Sequence, residues 1–280
     1  MDSYRVRVVA FSTLSILLAA LVDAVFYLLG GLADALLAML WGGLRMYAPT
    51  ISVLAVAGRK IVRDSLRLGG KALILYLAAP LIAFSAVLLY HIIITPMGLL
   101  TLEPLQTMAP PGLTTEALLV LTIINGYISS ITINTLFALG EEIGWRGYLQ
   151  TELEAAGYST LRSALLVGLI WGLWHATAIL LLGQNYPENR PLGVILFIAF
   201  TAMLSYPLAA VRSFSSSVIP AASLHGAINA IWGLTILTTR APRELGGLGL
   251  LGIATWLIIS SATYSAFRLQ KRPTSYAVPA

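Results

Sequence analysis

The sequence predicts an all-α fold: a polytopic transmembrane bundle of about eight helices. Three observations lead there. Of 280 residues, 58% are hydrophobic and 10% charged. A soluble domain carries about 25% charged residues, so this chain cannot clothe a water-facing surface. Apolar runs recur at the length of about 20 residues that a helix needs to cross a bilayer. The basic residues fall in alternate connections between those runs, as the positive-inside rule requires.

The runs lie near 8–29, 31–57, 72–95, 115–143, 163–182, 191–211, 216–237 and 247–268. The first is long enough to span and lacks a small-residue cleavage site, so it is expected as a retained helix, not a signal peptide. Residues 8–44 are almost unbroken, divided only by LGGLAD from Leu29 to Asp34, so a seven-helix arrangement stays open. No segment is large enough for a separate soluble domain. The expectation is one integral domain over 1–280, with the chemistry concentrated in about 110–240.

Arg5 and Arg7 precede the first run, and Arg59, Lys60, Arg63, Arg67 and Lys71 separate the second from the third. Arg162 precedes the fifth, Arg212 separates the sixth from the seventh, and Arg268, Lys271 and Arg272 follow the eighth. With eight helices all of these share one side, while the other holds Arg190, Arg240 and Arg243. Both termini are therefore expected in the cytoplasm. The net charge of +5 reports these loops. The aromatics sit inside apolar runs and not in a basic stripe, so nucleic acid is not an expected partner. The absence of cysteine excludes disulfides, thiolate metal sites and a cysteine nucleophile.

Ionisable groups inside spans are costly and usually functional. Here they are Asp23, Asp34, His91, Glu141, Glu142, Arg146, His175 and His225. Asp34 reads as interfacial, Asp23 and His91 as structural, because none has a partner at useful spacing. Glu142 and Arg146 are four residues apart and can pair on one helix face. Glu141 points about 100° away and can face a different partner. His225 and Asn229, also four apart, share a face. His175 lies 13 residues beyond Arg162, and His225 lies 13 beyond Arg212. Both are therefore roughly 20 Å deep, less any snorkelling of the arginines. Glu141 precedes Glu152 by 11 residues, a depth of roughly 16 Å.

Each feature has a plain structural reading: a helix-end salt bridge, a histidine bonded to a backbone carbonyl, polar glue between helices. Their common depth favours chemistry instead. A carboxylate beside a neutral imidazole is a general base for water. An imidazole and a carboxamide on one face can donate to a developing oxyanion. No nucleophile lies beside the base, so the set points to hydrolysis by activated water.

The run Glu141-Glu142-Ile-Gly-Trp-Arg146 resembles the EExxxR motif of the CAAX-protease and bacteriocin-processing family of intramembrane proteases, which includes the type II CAAX prenyl endopeptidases. WGLWH, Trp171 to His175, is similar to that family's FxxxH motif with Trp in place of Phe. HGAIN, His225 to Asn229, is similar to its HxxxN motif. MYAPTISVL, Met46 to Leu54, resembles the family's second helix. The resemblance covers roughly 110–240. It implies an eight-span helical bundle whose cavity opens to the cytoplasm, and an endopeptidase acting near the membrane. Glu141 would activate water with help from His175, and His225 and Asn229 would hold the oxyanion. Glu142 and Arg146 would shape the site or position substrate, and Trp171 would keep an aromatic wall. The implied partners are the bilayer and a peptide or protein substrate, C-terminally prenylated in the CAAX case. No cofactor is implied.

Three rival readings stand beside this one. Two histidines and a glutamate can ligate zinc, though the HExxH spacing is absent. A transporter or channel would need paired broken helices, and none is visible. A family member without protease activity would act as a scaffold.

Overall fold

The computed structural model describes residues 3–32 and 34–270, and among these every regular element is a helix. Lys271 and Arg272, counted above with the basic flanks, lie outside the described residues.

The first helix, α1 (Ser3–Leu28), contains no Gly or Pro, and it stops at Gly30 and Gly31, whose φ angles are +99° and +88°. Only glycine adopts that backbone without strain. Asp34 then caps α2 (Ala35–Met46), its Oδ1 accepting from the backbone N–H of Leu36 and Leu37. Pro49 sits in the first turn of α3 (Ala48–Ala57), where its missing N–H does no harm. That start breaks the expected 31–57 run in two. After Gly58, the short basic α4 (Arg59–Ser65) precedes α5 (Gly70–Ala78) and α6 (Pro80–Ile94), which continue as one apolar helix. A loop bearing α7 (Glu103–Met108) leads to α8 (Thr115–Ser130), capped by Thr114.

The expected 115–143 run is bent by 49° between α8 and α9 (Ile133–Glu142). Hydroxyls and a carboxamide take over the polar groups freed at the bend. Thr132 Oγ1 donates to Ile128 O at 2.7 Å, Thr135 Oγ1 to Ser130 O at 2.5 Å, and Asn134 Nδ2 to Ser129 Oγ at 2.6 Å. The Tyr76 hydroxyl donates to the carbonyl of Ile131. Such substitutions are what make a helix break tolerable in a dry interior.

A π-helical turn, Ile143–Leu149, follows directly and passes into α10 (Gln150–Ala155). Then come α11 (Thr160–Trp174), α12 (Ala176–Leu182), α13 (Arg190–Ser215), α14 (Ile219–Ile231), α15 (Leu234–Leu237) and α16 (Leu250–Gln270). The expected 216–237 run is thus a 13-residue helix and a four-residue one. Among the described residues, five helices are long and apolar enough to cross a membrane, or six with the bent pair taken as one span.

Helix α14 is the hub, packed on α5, α6, α8, α9 and α13. Small residues bring the backbones together, as is common where lipid supplies no hydrophobic drive between helices. A Cβ at Gly126 would lie 2.3 Å from Ile231 Cγ2, and one at Gly168 would lie 2.6 Å from Ala202 Cα.

The bundle has two distinct ends. At one, Arg7 pairs with Glu152 at 2.7 Å, Arg212 Nη2 donates to Thr151 Oγ1 at 2.5 Å, and the N–H of Val218 donates to Ser65 O at 3.0 Å. This basic end gathers the start of α1, α4, α10 and the α13–α14 junction. The other end holds the loops after α6, α12 and α15, joined by Arg240 to Glu103 at 2.8 Å and by Thr101 N–H to Thr238 O at 3.1 Å.

Candidate active site

The two adjacent carboxylates close α9, and the π-helical turn begins one residue later. Every residue from Gly140 to Gln150 is buried. π-turns are rare and concentrate at functional sites. Glu141 and Glu142 diverge as their spacing predicts, each finding a partner one turn on.

Glu141 Oε2 accepts two indole N–H donors, Trp171 at 2.6 Å and Trp145 at 3.2 Å. Glu142 turns away from them. Its Oε1 accepts from Arg146 Nη1 at 2.8 Å and from His225 Nδ1 at 2.9 Å, while its buried Oε2 has no protein partner. Arg146 Nη2 donates to Ser205 Oγ at 3.0 Å, and its guanidinium lies 4.7 Å from the centre of the Trp171 ring. That aromatic face helps to hold a buried cation.

His175 sits at the junction of α11 and α12. Its Nδ1 meets Trp171 O at 2.9 Å, and its ring is edge-on to Trp174 and Phe197 at 4.7 and 4.6 Å between centroids. A carbonyl only accepts, so Nδ1 carries the proton and Nε2 presents a lone pair. His225 donates Nδ1–H to Glu142 in the same way. Its ring is edge-on to Trp171 at 5.0 Å.

A cavity of about 320 Å³ brings Glu141, His175, His225 and Asn229 together. Asn229, one turn beyond His225 on α14, is exposed. Glu142 and Arg146 stand behind the wall. All six residues singled out from the sequence therefore belong to one cluster, four on the cavity and two supporting it. His175 and Glu141 make no direct hydrogen bond, and Trp171 joins them instead. Among the described residues no three His, Asp or Glu side chains converge as metal ligands.

Sequence reasoning missed the indole donors and a second buried ion pair. Trp171 had been read only as a wall, yet the exchange of Phe for Trp adds the N–H that holds Glu141. Asp23, read as partnerless, accepts from Arg45 Nε at 2.9 Å and Trp41 Nε1 at 2.8 Å on Oδ1, and from Thr177 Oγ1 at 2.5 Å on Oδ2. Arg45 also donates to Trp174 O at 2.7 Å and lines the cavity. Its signal was an arginine in the middle of an apolar run. His91 is a local tie, its ring nitrogens meeting Val87 O and Thr238 Oγ1, both at 2.7 Å.

The lining of the cavity runs from Glu141 to Gln184, Asn185, Ile236 and Leu248, at the end of the bundle that holds the loops after α12 and α15.

No curated protein matches the chain. Residues 123–231 match the family model of the Rce1-like type II CAAX prenyl endopeptidases, and this segment spans α8 to α14 and holds all six cluster residues. Over that segment the chain is similar to the Rce1-like type II CAAX prenyl endopeptidases, a family of proteases.

Proposed function

We propose that the chain is a glutamate-type intramembrane endopeptidase in which Glu141 activates water. The observation that carries this is the division of labour within one carboxylate. Oε2 is held by two indoles, whereas Oε1 has no hydrogen bond to the protein and belongs to a residue lining the cavity. A water bound between Oε1 and His175 Nε2 loses a proton to Glu141 as its oxygen attacks the peptide carbonyl. The carbonyl becomes an oxyanion that accepts from Asn229 Nδ2 and from His225. His225 keeps its Nδ1–H on Glu142, so it can donate through Nε2 only as the imidazolium. Collapse breaks the C–N bond, and the proton passes from Glu141 to the leaving amine. Arg146 holds Glu142 in place.

The substrate class that the family supports is a peptide near the membrane, with a C-terminally prenylated CAAX peptide as the natural probe. The described helices run alternately between the two ends of the bundle. The broken segments α2–α3 and α14–α15 serve as the second and seventh of eight traverses of the bilayer, with the start of α1 and the end of α16 on the basic side.

The test is cleavage of a fluorogenic farnesylated CAAX peptide by the purified protein in detergent, beside Glu141→Gln and with or without chelator. Activity lost in the variant and unchanged by chelator is expected. Loss with chelator would favour zinc, and full activity in Glu141→Gln would remove Glu141 as the base.

A further inference from the structure

We infer that Arg45 is the specificity-determining cation of the cavity and that it takes a carboxylate carried by the peptide substrate. That the occupant is a peptide rests on the protease reading proposed above; the rest comes from the surroundings of Arg45.

Arg45 lies in the last turn of α2, outside the segment 123–231 that holds the six cluster residues. It is nonetheless the only lysine or arginine among the described residues that line the cavity. Its side chain is 2% exposed, so its charge is held away from bulk water and needs partners. Three contacts fix it. Nε donates to Asp23 Oδ1 at 2.9 Å, Nη2 donates to Trp174 O at 2.7 Å, and the guanidinium carbon lies 3.6 Å from the centre of the Trp174 ring. Stacking occupies the face of a guanidinium and leaves its N–H groups, which lie in the plane, to hydrogen-bond.

Two of the three nitrogens are thus engaged, and no acceptor among the described residues meets Nη1. Asp23 is already committed, its Oδ1 shared by Arg45 and Trp41 and its Oδ2 taken by Thr177. The cation also stands close to the proposed chemistry. Trp174, on which it is stacked, packs edge-on against His175 at 4.7 Å between centroids, so one indole separates Arg45 from the residue proposed to hold the attacking water.

A buried donor without an acceptor is costly. A carboxylate is the group that a guanidinium pairs with best, by charge-assisted hydrogen bonds. A peptide substrate supplies one as its C-terminus or as an aspartate or glutamate side chain, and the chemistry at Nη1 is the same. A neutral, blocked peptide leaves Nη1 unpaired, which is how a site built around a polar group rejects an analogue that lacks its partner.

Three farnesylated CAAX peptides of one sequence test this: a free acid, a C-terminal amide, and an amide ending in aspartate. Each is titrated in detergent against the parent protein and against Arg45→Gln, with kcat and KM separated. The parent is expected to favour the acid over the plain amide by about tenfold or more in KM, the worth of one hydrogen bond to a charged group, with kcat little changed. Arg45→Gln should treat the two alike. A preference for the aspartyl amide over the plain amide, also lost in Arg45→Gln, adds side-chain carboxylates to what the site takes; without it the C-terminus is the ligand. Equal KM for all three peptides in the parent, or an equal loss for all three in Arg45→Gln, overturns the proposal.

Arg45→Gln strands Asp23, so Asp23→Asn with Arg45→Gln, which removes both charges, replaces it if the single variant fails to fold. Asp23→Asn alone keeps the cation and should keep the preference for a carboxylate. Loss of the preference there would mean that the pair acts only through the packing of α1 on α2, and overturns the proposal. Binding of the labelled peptides to Glu141→Gln needs no turnover. A carboxylate peptide bound about tenfold tighter than the plain amide, and no tighter once Arg45→Gln is added, supports the proposal even if the parent cleaves nothing, in which case the protease reading fails alone. Equal binding of all three peptides, or none, overturns it.

Discussion

Among the described residues two pairs of arginine and carboxylate lie buried in this bundle, and they are built in opposite ways. Asp23 and Arg45 form the first, at 2.9 Å. Both Asp23 oxygens are engaged, by Arg45, Trp41 and Thr177, so the carboxylate ties α1 to α2 and α12. Glu142 and Arg146 form the second, at 2.8 Å. There one oxygen takes two donors and the other takes none, and beside it Glu141 has one oxygen clamped and one left over. A buried charge without full hydrogen bonding is expensive. A bundle of this composition keeps full satisfaction where the pair holds helices together. It leaves acceptors unused at and just behind the wall of the cavity.

The sharpest way to break this comparison is to neutralise one carboxylate in each region. Glu141→Gln should lower the cleavage rate by about 10³-fold or more, within the range ascribed to a general base, and should leave thermal unfolding in detergent nearly unchanged. Asp23→Ala should do the reverse. It strands Arg45 and the Trp41 and Thr177 donors, for a loss of about 3–5 kcal/mol, read as a lowered unfolding temperature with activity per folded molecule retained. Adding Arg45→Met should recover part of that loss, since removing both members of a buried pair costs less than removing one. A large stability loss in Glu141→Gln, or loss of catalysis alone in Asp23→Ala, would erase the distinction.

A finer test lies within the site. Trp171→Phe puts back the family's ring but deletes the shorter indole bond to Glu141. It should lower kcat by about tenfold, the worth of roughly one hydrogen bond to a charged group, with KM almost unchanged. Trp145→Phe, which deletes the 3.2 Å bond, should cost less. Trp256→Phe removes an equally buried indole whose N–H has no partner and should alter neither constant. An equal loss in all three variants would mean that the tryptophans act only by filling space.

Much of the site was legible because its parts are local. Residues four apart on a helix face must be neighbours, so Glu142–Arg146 and His225–Asn229 followed from spacing alone, and so did the divergence of Glu141 from Glu142. The bend at Ile131–Thr132 was not legible. Serine and threonine close onto the preceding turn in straight helices as well as broken ones. The same holds for Pro49, which can start a helix or kink one. Asp23 looked solitary because its partners, Arg45 and Thr177, stand 22 and 154 residues away.

By itself the sequence determined that this is an all-helical membrane protein, and which side of each helix the charged groups take. Those properties follow from composition, hydrophobic run length and helical periodicity, all carried by neighbouring residues. Only the tertiary structure decided which oxygen of Glu141 is held, and that Trp171 holds it. Each of these depends on how helices distant in sequence are directed and packed against one another, and periodicity along a single helix is silent about that.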